Sequence, residues 1–140
     1  MAEFKHRALG LNQKNKVIFI AMSKHLFYFR RHAVKYVLEK GYSPISQFGI
    51  FDYFVTDTVD RNTVVIANNN LIRVSDEMWV FGPISDGVLA EIELVKEWEK
   101  PIKYFKITRE KDIQEVEEVK NKEDLEFESL DLKKAFFKLN

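Results

Sequence analysis

The sequence predicts a single α/β domain, in which a parallel sheet is covered by helices on both faces, followed by a C-terminal extension. Three observations lead there. "KVIFIAM" (16–22) and "EMWVFG" (77–82) are short continuous apolar runs rich in β-branched or aromatic residues, as expected of strands buried on both sides. Each is followed by a segment whose apolar residues recur at three- and four-residue steps, the period of a helix. The alternation of the two patterns calls for right-handed crossovers between parallel strands. A chain of 140 residues with 46% hydrophobic content has material for one proper core and little room for a second.

Taken in order, residues 1–15 lack a clear period and are expected to form a flexible arm. After the strand at 16–22, "SKHLFYFRRHAVKYVLEKG" (23–41) predicts a helix capped by Ser23 and ended by Gly41, in which Leu26, Phe29, Ala33, Val37 and Leu38 recur at three- and four-residue steps. "YSPIS" (42–46) predicts a brief strand, and its Pro44 suits a strand end or an edge. The aromatic stretch 47–62 has no settled period and reads as a short helix plus a loop. Residues 61–76 then predict a helix with Val64, Val65, Leu71 and Ile72 on one side and Asn68 in the same stripe. The strand at 77–82, a helix over 85–100 and a strand over 101–107 complete the expected domain, 16–107. The extension, 108–140, begins with the mixed charge run "REKDIQEVEEVKNKED", expected as a solvated helix face or loop. "LEFE" (125–128) predicts a last strand and "SLDLKKAFFKL" (129–139) an amphipathic helix. The apolar side of that helix, with Phe136 and Phe137, packs on the domain or on a partner subunit.

Composition excludes several functions. Lys+Arg and Asp+Glu both number 22, so no global field recruits a nucleic acid polymer or an acidic membrane. Without cysteine there are no disulfides, thiol nucleophiles or thiolate metal sites. The longest apolar runs fall far short of the roughly 20 residues of a spanning helix, and the charged start is not a signal peptide, so the expected location is cytoplasmic. His25 and His32 stand seven residues apart, too far for chelation from successive turns, and "GYSPISQFG" is not a phosphate loop. No metal and no cofactor is called for.

The segment that carries chemistry is "SDEMWVFGPISDGVLAE" (75–91). In open parallel sheets, ligands sit outside the carboxyl ends of the strands, where helix N-termini offer free N–H groups and a positive dipole end. Ser85, Asp86 and Gly87 stand at such a start. Ser85 is equally read as a plain N-cap, and Gly87 as turn chemistry. Glu91 is the sharper signal. At about 100° per residue it falls between Val95 and Trp98 on the wheel, in an arc with Val88 and Ile92, whereas Glu93 and Glu97 point outward. An inward carboxylate costs several kcal/mol unless it is paired, hydrogen-bonded or beside a cavity. Two readings follow: a salt bridge or edge position, or a ligand pocket.

The same segment resembles the nucleoside 2-deoxyribosyltransferase superfamily, including its 2'-deoxynucleoside 5'-phosphate N-hydrolases. There an acidic residue precedes a hydrophobic strand, followed by a Ser-x-Gly-Val-x-x-Glu turn and helix. Here these are Asp76, Ser85, Gly87, Val88 and Glu91. The resemblance implies a flavodoxin-like or Rossmann-like fold over about 16–107. It also implies Glu91 as the nucleophile at the sugar C1', Asp76 contacting the nucleoside, and Ser85 with the helix start holding the 5' end. The turn after the first strand, Ala21, Met22 and Ser23, would face the sugar, and Asn68 is a secondary candidate for ligand contact. Two positions depart from the family: Phe19 replaces a tyrosine whose hydroxyl orients the nucleophile, and Met22 aligns with glycine, where its bulk would narrow the pocket. The expected activity is cleavage of the N-glycosidic bond of a nucleoside or nucleotide by hydrolysis or transfer. The alternative is a nucleotide-binding or sensing module that has lost turnover. The family suggests a homodimer or larger homo-oligomer. Asp52 and Asp57 could meet a base or ribose, or serve as solvated loop residues. Phe136 and Phe137 leave a third reading open, a partner-binding domain.

Overall fold

A computed structural model describes residues 3–51, 53–110 and 113–139. Among them, five strands form one sheet in the order β2-β1-β3-β4-β5, with β1 at Val17–Met22, β2 at Ser43–Ser46, β3 at Glu77–Phe81, β4 at Ile102–Glu110 and β5 at Ile113–Val119. The first four are parallel and β5 is antiparallel to β4, a Rossmann-like or flavodoxin-like α/β fold. The helices are α1 (Arg7–Gly10), α2 (Arg30–Glu39), α3 (Gln47–Ile50), α4 (Tyr53–Thr58), α5 (Arg61–Val74), α6 (Asp86–Glu97) and α7 (Leu130–Lys138). Among the described residues, no helix is long and apolar enough to cross a membrane.

Strand alternation sends the odd and even residues of β1 to different layers. Ile18, Ile20 and Met22 pack with Trp79, Phe81 and Phe105 beneath Phe29, Ala33 and Val37 of the first helical segment. Phe19 and Ala21 pack with Met78, Val80 and Tyr104 on the other face, under Ile72 of α5, Val88, Ile92 and Val95 of α6 and Phe136 of α7. One face therefore belongs to α2, the other to α5, α6 and α7. Asp60 caps α5, its side chain accepting from Asn62 N and Thr63 N, and Ser129 caps α7 through Leu132 N.

Three local expectations are corrected. The helix predicted over 23–41 breaks into a 3-10 helix at Lys24–Phe29, with Leu26 off helical geometry (φ −104°, ψ 20°), before α2 begins. That break sets Leu26 against Gly82, where φ is +79° and an added Cβ would stand 2.5 Å from Leu26 Cδ1. Most of the charged run after 107 is strand rather than helix or loop: it ends β4 at Glu110 and forms β5 over Ile113–Val119, and a 3-10 turn at Lys122–Asp124 follows. Ile113, Val116 and Val119 recur every three residues, which imitates a helix in sequence. In the strand that spacing instead puts Val116 and Val119 on opposite faces, each joining a different apolar layer. Lys106 faces Glu117 across the ladder, and the remaining charges blunt the sheet edge. Finally, "LEFE" forms only an isolated parallel bridge, Phe127 to Ile84, rather than a strand. In the 1–15 segment, residues 7–10 make one helical turn, with every described residue exposed.

Candidate functional site

Glu91 lies where the helical wheel places it, on the inner side of α6 with Val88, Leu89, Ile92 and Val95, and it is 8% exposed. The salt-bridge reading fails, because its partner among the described residues is an amide: Asn68 of α5 donates Nδ2–H to Oε2 at 2.7 Å. Burial pushes the Glu91 carboxyl up to about 7, with the Asn68 hydrogen bond working the other way. The Oδ1 of Asn68 is itself buried without a partner among the described residues. Such an amide can serve both charge states, its N–H groups the carboxylate and its oxygen the protonated acid. Phe19, which carries no hydroxyl, lies in the apolar layer that α6 covers. The hydroxyl of Tyr104, in the same layer, also lacks a partner among the described residues, and burial pushes it up to about 12.

The strand order reverses at β1, so the crevice expected of an open sheet lies between the carboxyl ends of β1 and β3. Ser23 follows β1 and is 1% exposed. After β3 come Ile84 and Ser85, and Ser85 Oγ accepts from Val88 N at 3.3 Å as the cap of α6. Asp86 Oδ1 accepts from Gly87 N at 2.7 Å, and both residues are exposed. A Cβ at Gly87 would meet nothing within 4 Å, so this position of the first helical turn faces open space. Across this crevice reaches a residue from the extension. Ser23 Oγ donates to Glu128 Oε2 at 2.6 Å, and His25 Nδ1 lies 3.1 Å from the same oxygen. These three residues are not a nucleophilic relay. The serine proton goes to the carboxylate rather than to the imidazole, and the ring meets both neighbours through the same nitrogen, Nδ1.

Two predicted residues do not join the site. Asp76 sits at the amino end of β3, exchanging hydrogen bonds with Val17: its N donates to Val17 O at 2.7 Å and its Oδ2 accepts from Val17 N at 2.8 Å. The whole of β3, about 16 Å at about 3.3 Å per residue, separates it from the helix start. Its neighbours are Glu77, paired with Lys16 at 2.9 Å, and Trp79, which donates to Glu77 at 3.1 Å. The expected substrate contact is therefore replaced by a tie between two strand starts. Met22 turns to the α2 face, 2% exposed, so its bulk lies on the opposite side of the sheet from Glu91. Asp57 is exposed on α4, and Asp52 lies outside the described residues. A cleft of about 410 Å³ between α2 and the β2–α3 turn, lined by Arg30, Arg31 and Lys35 among others, belongs to the opposite face.

The profile of the domain of unknown function DUF7768 matches residues 20–105, more than half of the sequence. The chain belongs to this family. No curated protein matches the sequence. The DUF7768 segment contains Ala21, Met22, Ser23, Asn68, Asp76, Ser85 and Glu91, together with His25. Glu128 lies beyond it. The sequence offered His25 only a chelating role, which its spacing from His32 excludes; its side chain is 69% exposed, and the missing information was its partner, supplied from outside the DUF7768 segment.

Proposed function

We propose that this DUF7768 protein is an N-glycosidase or deoxyribosyltransferase-like enzyme acting on a nucleoside or nucleotide, with Glu91 as its nucleophile. The observation that carries the reading is a carboxyl buried on an inward helix face with, among the described residues, a single amide partner and no cation. A purely structural glutamate would be expected to have a counter-charge or to reach solvent. In the reaction, the ionised carboxylate attacks C1', the C1'–N bond breaks with its electron pair leaving on the base, and a sugar ester forms. Water then hydrolyses the ester and restores the carboxylate, or a second base takes the sugar. Asn68 positions the carboxylate, and Ser23, Ser85 and the α6 N-terminus lie at the crevice where the sugar 5' end would be held. Asp76 has no part in this scheme. Ionisation is required, so turnover in the free protein should rise with pH through about 7.

The test is a panel of 2'-deoxynucleosides and their 5'-monophosphates, read for free base. Glu91→Ala should abolish release while retaining ligand binding, and equal turnover in that variant ends the proposal. A second reading, a binding or sensing module without turnover, is favoured by one observation: Phe19 puts a bare ring in the layer facing α6, where the resembling family has a hydroxyl. Ligand-raised melting temperature with no base release would select it. The proposal includes a cytoplasmic location and a homo-oligomer, for which the exposed Val65 and Ile66 of α5 offer apolar surface; sedimentation of the full chain tests the latter.

A further inference from the structure

The Glu128 carboxylate stands in an unusual place for a residue of a C-terminal extension. Glu128 ties the first polar side chain after β1 to the loop after β3, its carboxylate bonding Ser23 and its backbone N–H bonding Ile84 O, across the strand ends where an open sheet takes its ligands. The backbone brings it there by two hydrogen bonds around one isolated bridge, Ile84 N to Glu126 O at 2.9 Å and Glu128 N to Ile84 O at 3.0 Å. Leu125 and Phe127 pack on the edge of the apolar layer, with the Phe127 ring 5.3 Å from that of Phe136. Between β5 and this segment the residues are exposed. The attachment is thus local, and the carboxylate, with its side chain 28% exposed, can swing into solvent by side-chain rotation alone. What it takes up is a donor: a buried serine hydroxyl whose proton it accepts at 2.6 Å, a short charge-assisted bond of the kind a phosphate oxygen also makes.

We propose that residues 125–128 are a strap that closes the crevice in the free protein, the Glu128 carboxylate occupying the place of a ligand's phosphate oxyanion, which must displace it to bind. The inference rests on reading the crevice as the ligand site of the function proposed above, and it adds that site's regulation. Because the strap lies outside the DUF7768 segment, it is a device laid over the domain's own machinery. A closed state populated about nine times in ten weakens apparent affinity about tenfold.

Calorimetric titration of the full-length protein with inorganic phosphate tests this without any turnover. Glu128→Ala is expected to bind phosphate about tenfold more tightly than the parent, and Glu128→Gln, which keeps the shape and loses the charge, to gain in the same direction by less. Adding Ser23→Ala to Glu128→Ala should cancel the gain, because the donor that both anions compete for is gone. A 2'-deoxynucleoside 5'-monophosphate should show the same gain as phosphate, and the uncharged nucleoside a smaller one. Phosphate affinity that is unchanged or weaker in both Glu128 variants overturns the proposal, as does the absence of measurable phosphate binding in all of them. Base release that is indifferent to Glu128 would keep the enzymatic reading and remove the strap. A tenfold gain with no base release would do the reverse.

Discussion

The two faces of the sheet are both covered by helices, but they differ in how their buried polar atoms are satisfied. Beneath α2 the rings of Tyr36, Trp79, Phe81 and Phe105 meet at centroid distances of 5.3 Å for Tyr36–Phe105, 5.0 Å for Trp79–Phe105 and 4.9 Å for Phe81–Phe105. The one indole N–H among them is satisfied by Glu77. Beneath α5, α6 and α7 the layer carries the buried Glu91, and an Asn68 oxygen and a Tyr104 hydroxyl that find no partner among the described residues. A face that serves only as a core has no use for leftover polar atoms, since each costs about 1–3 kcal/mol. Their concentration on a single face is what separates scaffold from candidate chemistry in this molecule.

That contrast can be broken most forcefully from the aromatic side. Phe81→Ala removes a fully buried ring from the stack and should cost about 3–5 kcal/mol, by the same amount at pH 5 and pH 8, in urea unfolding. A cost that varied strongly with pH would mean the two layers are not distinct. Next in size is Glu91→Gln. The folded-state value of Glu91 is raised from 4.5 to about 7, so the folded protein holds a proton that the unfolded chain releases. Stability is therefore lost as pH climbs from about 4.5 and levels off above about 7, a loss of about 3 kcal/mol. The glutamine variant should erase that slope, matching the parent near pH 4 and exceeding it at pH 8. A parent whose stability is flat between pH 5 and 8 would show that Glu91 ionises without penalty.

Asn68→Leu should act through the same carboxyl. Losing the donor pushes Glu91 further up, which moves the acid limb of the pH profile to higher pH and lowers stability at pH 8 by about 1–3 kcal/mol. No movement of that limb would detach Asn68 from the site. The smallest effect is expected for Tyr104→Phe, which deletes a buried hydroxyl with no partner and should leave stability unchanged or raise it by about 1 kcal/mol. A clear loss would reveal a partner for that oxygen.

Much of this was legible in the residues. Apolar runs placed β1 and β3, helical spacing placed α5 and α6, and the wheel put Glu91 and Asn68 on inward faces because a helix's period is a local property. The strand β5 was hidden for the opposite reason: three apolar residues spaced like a helix are also consistent with a strand touching two different layers, and only its pairing with β4 decides. Asp76 resembled a site residue because order along the chain says nothing about which end of a strand faces the crevice.

By itself, then, the amino-acid order determined the alternation of strands and helices, the helix start at Ser85 and the anomaly of an inward acid, since each depends on neighbours a few bonds away. Tertiary structure decided who meets whom. The amide that answers Glu91 comes from another helix, Asp76 is spent at the far edge, and Ser23 finds a carboxylate 105 residues along the chain. No periodicity carries such contacts, because they are fixed by how the sheet orders its strands and where the extension is laid across them.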